Sequence, residues 1–142
     1  MAETFFNFFT ILPLPIWASM ILFPRARFTQ RIVLSNWPYI VLGGIYAVLL
    51  ISQILTTTQP LGFSFQALRA GFNSELGFLA GWVHYLTLDL FVGVWIFRDA
   101  KYWGISASVF LLVTLFSGPL GLAGYLIIRH RKSKTDPIKN LN

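Results

Sequence analysis

The sequence predicts an all-α protein, an integral membrane four-helix bundle, and three observations carry that reading. Of 142 residues 56% are hydrophobic and only 11% are charged, against the roughly 25% charged content of soluble domains. The apolar residues gather into four runs, each long enough to cross a hydrocarbon core as a helix at about 20 residues per crossing. The charges fall mostly between those runs, as they must where lipid offers no partner to a charge or to an open backbone.

The first run covers residues 5–23. No Lys or Arg precedes it and no small-residue cleavage pattern follows it, so it reads as a retained span and not as a secretory signal. Pro13 and Pro15 remove two backbone donors inside it and predict a kink. Phe5, Phe6, Phe8 and Phe9 cluster at its start, where an interfacial aromatic belt is expected. The second run, 37–55, holds Gly43 and Gly44. The third, 76–97, carries Gly77 and Gly81, a small-xxx-small pair suited to close helix approach. The fourth, 105–128, contains Gly118-Pro119, Gly121 and Gly124.

Together these runs make a single transmembrane domain over residues 1–128, followed by a basic tail, 129–142, that contains Pro137. The tail is expected to fray at its end and to anchor to anionic headgroups. Polar connectors occupy 24–36, 56–75 and 98–104. The longest has Gln59-Pro60 and Gly62, then an amphipathic stretch from Phe63 to Phe72 that fits an interfacial helix or a solvated linker equally well.

Charge excludes some functions and leaves orientation open. Arg25, Arg27, Arg31, Arg98 and Lys101 fall on one side of a four-span chain, and Arg69 with the basic tail on the other, so the positive-inside rule picks neither side. The net charge of +6 fits contact with membrane lipid on both faces. No basic stripe interleaved with exposed aromatics is present, and nucleic acid is not an expected partner. The absence of cysteine removes disulfides, thiolate metal sites and a cysteine nucleophile.

The candidate site lies in the third run, where His84, Tyr85 and Asp89 stand among apolar residues. An ionisable side chain at that depth is a functional-site hypothesis by default. At about 100° per residue, Gly77, Gly81, His84, Leu88, Phe91, Trp95 and Arg98 form one stripe, and Tyr85, Asp89, Val92 and Ile96 a neighbouring one. His84 and Asp89 therefore do not share a face, and each is expected to meet another helix or a ligand. In purely structural roles, His84 would hydrogen-bond across helices and Asp89 would pair with Arg69 or Arg98. No multi-His cluster or dinucleotide fingerprint is present, which disfavours a di-iron or nicotinamide enzyme and predicts no metal centre. Haem held by His84 and His130 is disfavoured, since the two come to one depth only by coincidence. A chlorophyll magnesium needs a single protein ligand, which His84 could supply.

The same residues resemble a known family. The string Gly81-Trp82-Val83-His84-Tyr85-Leu86-Thr87-Leu88-Asp89-Leu90-Phe91-Val92-Gly93, continuing through Trp95-Ile96 to Arg98-Asp99, is similar to the GWxHYxxxDLFxG…RD segment of the abscisic-acid-deficient-4 family. Gly118-Pro119-Leu120-Gly121-Leu122, followed by Tyr125-Leu126 and Arg129, resembles that family's GPxGLxxYLxxR ending. Pro13 to Trp17 and Phe23-Pro24 agree more loosely.

The resemblance implies a four-helix membrane protein tied to carotenoids, whose plant members are needed to form neoxanthin from violaxanthin in plastids. No transit-peptide-like stretch stands before Phe5, so the sequence reads as a bacterial, cyanobacterial-type member, expected in the thylakoid or plasma membrane of a photosynthetic bacterium. Opening a xanthophyll epoxide to an allenic alcohol is an isomerisation that requires no redox cofactor. It needs an acid for the epoxide oxygen and a base for a proton of the polyene chain. Asp89 is the expected proton donor, His84 the acceptor and Tyr85 an orienting hydroxyl. His84, Trp82 and Trp95 are the expected contacts to a bound carotenoid or chlorophyll. The alternative is a non-enzymatic role, since 17% aromatic residues can cradle a polyene or pack as a subunit of a larger photosynthetic complex or a homo-oligomer.

Overall fold

The computed structural model describes residues 1–58, 62 and 64–135. Gln59, Pro60, Phe63 and the tail from residue 136 on, with Pro137, lie outside the described residues. Within them the chain is all-α, with seven helices and no strand: α1 (Ala2–Ile11), α2 (Leu14–Leu22), α3 (Arg27–Leu34), α4 (Trp37–Thr56), α5 (Phe65–Asn73), α6 (Glu75–Trp103) and α7 (Ser108–Thr135). Four stretches are long and apolar enough to cross a membrane: Ala2–Leu22, Trp37–Thr56, Glu75–Trp103 and Ser108–Thr135. The chain is accordingly a membrane protein.

The first span is broken where its prolines stand. α1 ends at Ile11, Leu12 closes it with a backbone bond to the Phe8 carbonyl at 3.1 Å, and α2 resumes at Leu14. Pro13 lacks an amide hydrogen to continue the ladder, which is why the break falls there.

The polar connector at 24–36 contains α3. It is short but amphipathic, with Thr29 and Val33 buried. The Thr29 hydroxyl donates to the Phe23 carbonyl at 2.8 Å, with the Ser19 carbonyl 3.3 Å away. One side chain thus adds a second hydrogen bond at the end of α2, where the Phe23 carbonyl also accepts the Ala26 N–H at 3.1 Å. Two other boundaries move outward. α6 continues past residue 97 to Trp103, and α7 carries the start of the basic tail as helix to Thr135. Arg98, Lys101, Arg129 and Arg131 are therefore helical and spaced on defined faces. A helix can extend beyond hydrocarbon into the headgroup layer, so the end of an apolar run marks the lipid boundary and not the helix end.

The chain divides into two compact units, Met1–Leu14 with Ser35–Leu88, and Pro15–Leu34 with Asp89 onward. In the first, the Trp82 indole N–H donates to the Thr10 hydroxyl at 2.8 Å, and Phe6 lies 5.0 Å from the Trp82 ring. Phe9 is buried while Phe5 and Phe8 are exposed. The aromatic cluster is thus split, half facing out and half packing α1. α5 begins at Ser64, whose hydroxyl accepts the Ala67 N–H at 3.2 Å. Its Phe72 ring fills the space beside Gly81, and the Gly71 carbonyl abuts Gly77. The predicted small-residue pair in α6 therefore admits α5. Ser74 then caps α6, accepting the Gly77 N–H at 3.1 Å.

In the second unit the outer end of the Trp17 ring abuts Gly93, and Met20, Leu90, Ile96, Leu111 and Tyr125 are fully buried. α6 stops at Gly104, whose φ of 59° places it in the left-handed region. The Ile105 N–H bonds the Ala100 carbonyl at 2.8 Å and the Gly104 N–H bonds that of Lys101 at 3.3 Å, the two bonds of a Schellman cap. Lys132 Nζ adds a bond to the Gly104 carbonyl at 2.7 Å. A Cβ in this conformation costs about 1–2 kcal/mol. Gly104→Ala is therefore expected to lower the thermal unfolding midpoint in detergent, and an unchanged midpoint would refute the strain.

Candidate functional site

α4, α5 and the start of α6 enclose a cleft of about 590 Å³ in the first unit. Its walls are Tyr46, Leu50, Gln53 and Ile54 from α4, Ala67, Leu68 and Phe72 from α5, and Gly77, Gly81 and His84 from α6. The volume falls within the usual range of ligand pockets, and an apolar wall with few polar groups is their usual chemistry. Three side chains here carry polar atoms with fixed surroundings. The His84 ring stands 5.4 Å from that of Tyr46, tilted by 47°. Gln53 Oε1 lies 2.8 Å from the Ser74 hydroxyl at the cap of α6, which it shares as acceptor with the Gly71 carbonyl at 2.7 Å. His84 is itself exposed, so its imidazole is accessible from outside the chain. α4, of whose most apolar window only 6% is buried, presents most of its surface to the surroundings and forms one wall.

Asp89 belongs to the second unit. Its carboxylate occupies the space a side chain at position 118 would fill. That position is where α7 bends: Ser117 has φ −151° and ψ 60°, and Pro119 follows inside the helix. Proline withholds one ladder donor, the non-helical residue turns the chain, and Gly121 lets the two halves close against Thr114. The bend lies about 14 Å from the start of α7 at 1.5 Å per residue, near the middle of a hydrocarbon core of about 30 Å. An acidic side chain and an interrupted backbone therefore meet at a depth where each is costly in lipid.

A third cluster went unnoticed in the sequence. Asp99 Oδ2 accepts hydrogen bonds from the Tyr125 hydroxyl and from Arg129 Nε, the latter at 2.7 Å. The Arg129 guanidinium also lies over the Trp103 ring, 5.2 Å from its centroid. Trp95 and Phe110 present edge-on contacts to Tyr125 at 5.7 and 5.5 Å. The signal was available: Trp95, Asp99 and Trp103 are spaced four apart on α6, and Tyr125 and Arg129 four apart on α7.

The residues singled out in the sequence have different surroundings. Trp82, His84 and Tyr85 belong to the first unit and Asp89 and Trp95 to the second. His84 lines the cleft; Trp82 stacks on Tyr85 at 5.5 Å and hydrogen-bonds Thr10. Neither Tyr85, Asp89, Trp82 nor Trp95 lines the cleft. Trp95 packs on Tyr125, beside the ion pair that joins Asp99 to Arg129.

Comparison with known proteins agrees with the motifs. The model of a family described as ABA DEFICIENT 4-like matches residues 4–125. The protein named ABA DEFICIENT 4, chloroplastic, from Arabidopsis thaliana is 26% identical over 137 residues, covering 90% of this chain and 61% of that protein. The chain thus spans somewhat less than two thirds of the length of this curated relative. No solved structure matches.

Proposed function

Because the chain belongs to the ABA DEFICIENT 4-like family, we propose that it handles a carotenoid within the membrane and isomerises an oxygenated end group of it. The cleft beneath His84 is the observation that carries this reading. Its apolar walls suit a hydrocarbon end group, the exposure of His84 suits a long chain that stays in lipid, and its polar groups suit a single oxygen function.

The reaction we assign is the conversion of a xanthophyll epoxide to an allenic alcohol. A proton reaches the epoxide oxygen as its carbon–oxygen bond breaks, a base takes a proton from the polyene chain, and that electron pair becomes the new double bond. No electron acceptor enters. In this reading His84 serves as the base, and Tyr46, whose ring stands 5.4 Å away, positions the oxygen. Asp89, expected from the sequence to be the acid, lies against α7 and is the companion test. The membrane in this reading is a thylakoid or plasma membrane, and association with a larger photosynthetic complex is compatible with the exposed surface of α4.

Expression in a host that accumulates violaxanthin, followed by pigment chromatography, tests the proposal. The wild-type chain is expected to yield an allenic product, and His84→Ala to reduce it by about 10²-fold or more while its membrane abundance holds. Asp89→Asn with unchanged product removes Asp89 from the chemistry. Unchanged pigments in the wild-type host, with carotenoid co-purifying at the cleft, would replace the enzyme by a binding subunit. If neither conversion nor co-purification occurs, the carotenoid reading is lost.

A further inference from the structure

The second unit has a pocket of its own, of about 530 Å³, unrelated to the His84 cleft and independent of the reading above. It forms where α2, α6 and α7 reach the ends of their spans: α2 closes at Leu22, α6 at Trp103, and α7 opens at Ser108. The floor is apolar, made by Met20, Phe97 and Ile105. The rim carries Arg25 and Lys101, with the hydroxyls of Ser106 and Ser108. Among the described residues no carboxylate lines it.

Two exposed cations at the lip of an apolar hollow, with no acid beside them among the described residues, favour an anion there. The local geometry adds to this. α7 begins inside the pocket, so the positive end of its dipole faces the same space as the two side chains. The Schellman cap at Gly104 and the Lys132 bond to its carbonyl fix the backbone that carries Ile105 to Ser108. Gln30 is held by the Pro24 carbonyl at 2.8 Å and takes only one long contact, 3.3 Å, from Lys101. An ammonium has three donors, so Lys101 retains capacity for a ligand.

The apolar floor decides which anion. A free phosphate gains nothing from Met20 and Phe97, whereas an amphiphile places its charge on the rim and its hydrocarbon in the bilayer that begins at the same level. We propose that this pocket is a headgroup site for an anionic glycerolipid, its phosphate held between Arg25 and Lys101.

Thermal unfolding of the full chain in mild detergent, titrated separately with phosphatidylglycerol, phosphatidylcholine and inorganic phosphate, tests the assignment. Phosphatidylglycerol is expected to raise the midpoint by about 5 °C near saturation, with little change from the other two. Arg25→Gln with Lys101→Gln should weaken the apparent affinity about tenfold or more. The pair Arg131→Gln and Lys134→Gln, removing equal charge from outside the pocket, should not weaken it. An equal response to phosphatidylcholine would mean a plain apolar groove, and an equal response to phosphate a soluble-anion site; either overturns the proposal. So does equal weakening by the two double variants. The three titrations of the unaltered protein decide the matter even where a variant fails to fold.

Discussion

Asp99→Ala is expected to lower stability by about 2–4 kcal/mol, the largest loss of any single substitution on the surface of α6. The carboxylate accepts from two donors, Tyr125 and Arg129, and hydrogen bonds to a charged group contribute about 1.5–3 kcal/mol each. The upper part of that sum is not reached because the Arg129 side chain is 36% exposed and Asp99 16%, so water screens the pair and takes over some of the guanidinium's bonding. The Tyr125 hydroxyl has no such relief, since that residue is fully buried. Tyr125→Phe keeps the ring against Trp95 and Phe110 and is expected to cost about 1 kcal/mol. Chemical or thermal unfolding in detergent measures both. If Asp99→Ala costs no more than Tyr125→Phe, the ion pair to Arg129 contributes nothing.

Gly118→Val is expected to cost about 1–3 kcal/mol, through overpacking against the Asp89 carboxylate. The decisive measurement is a double-mutant cycle with the smaller change, Gly118→Ala. On the wild-type background the new methyl meets the carboxylate and destabilises. On an Asp89→Ala background the space is open, and alanine should be neutral or stabilising by about 0.5–1 kcal/mol because it restricts the unfolded chain. A coupling above about 0.5 kcal/mol identifies direct contact; additive effects would show that the two positions act separately. Membrane abundance and product yield of Gly118→Val then report whether the bend in α7 matters to chemistry as well as to folding.

Much of this architecture could be read from hydropathy, because lipid imposes a length and a composition that no other environment does. All four spans were anticipated, and so was the break at Pro13. What could not be read were features set by helix ends and by pairing. α3 is too short and too polar to stand out from a connector, and its buried Thr29 matters only once α2 ends beside it. The Asp99 cluster lies at the end of α6, past the apolar run, where charges look like solvated headgroup contacts until α7 brings Tyr125 and Arg129 to the same level. The separation of His84 and Asp89 onto different stripes did follow from helical periodicity. Their neighbours, Tyr46 for one and Gly118 for the other, depend on which helices pack together, and periodicity is silent on that.

The bond between Trp82 and Thr10 has a consequence for the order of synthesis. Its partners are separated by 72 residues, so α1 enters the bilayer well before the indole that fastens it exists. At about 5–20 residues per second the wait lasts roughly 4–14 s. During that interval the Thr10 hydroxyl is not left exposed to hydrocarbon, because it donates to the Phe6 carbonyl one turn back at 2.7 Å. The proton of Thr10 is spent within its own helix, and the oxygen lone pair that Trp82 later takes is the one that can be left waiting. The N-terminal segment is thus stable enough to be inserted first and is locked only once the third span arrives.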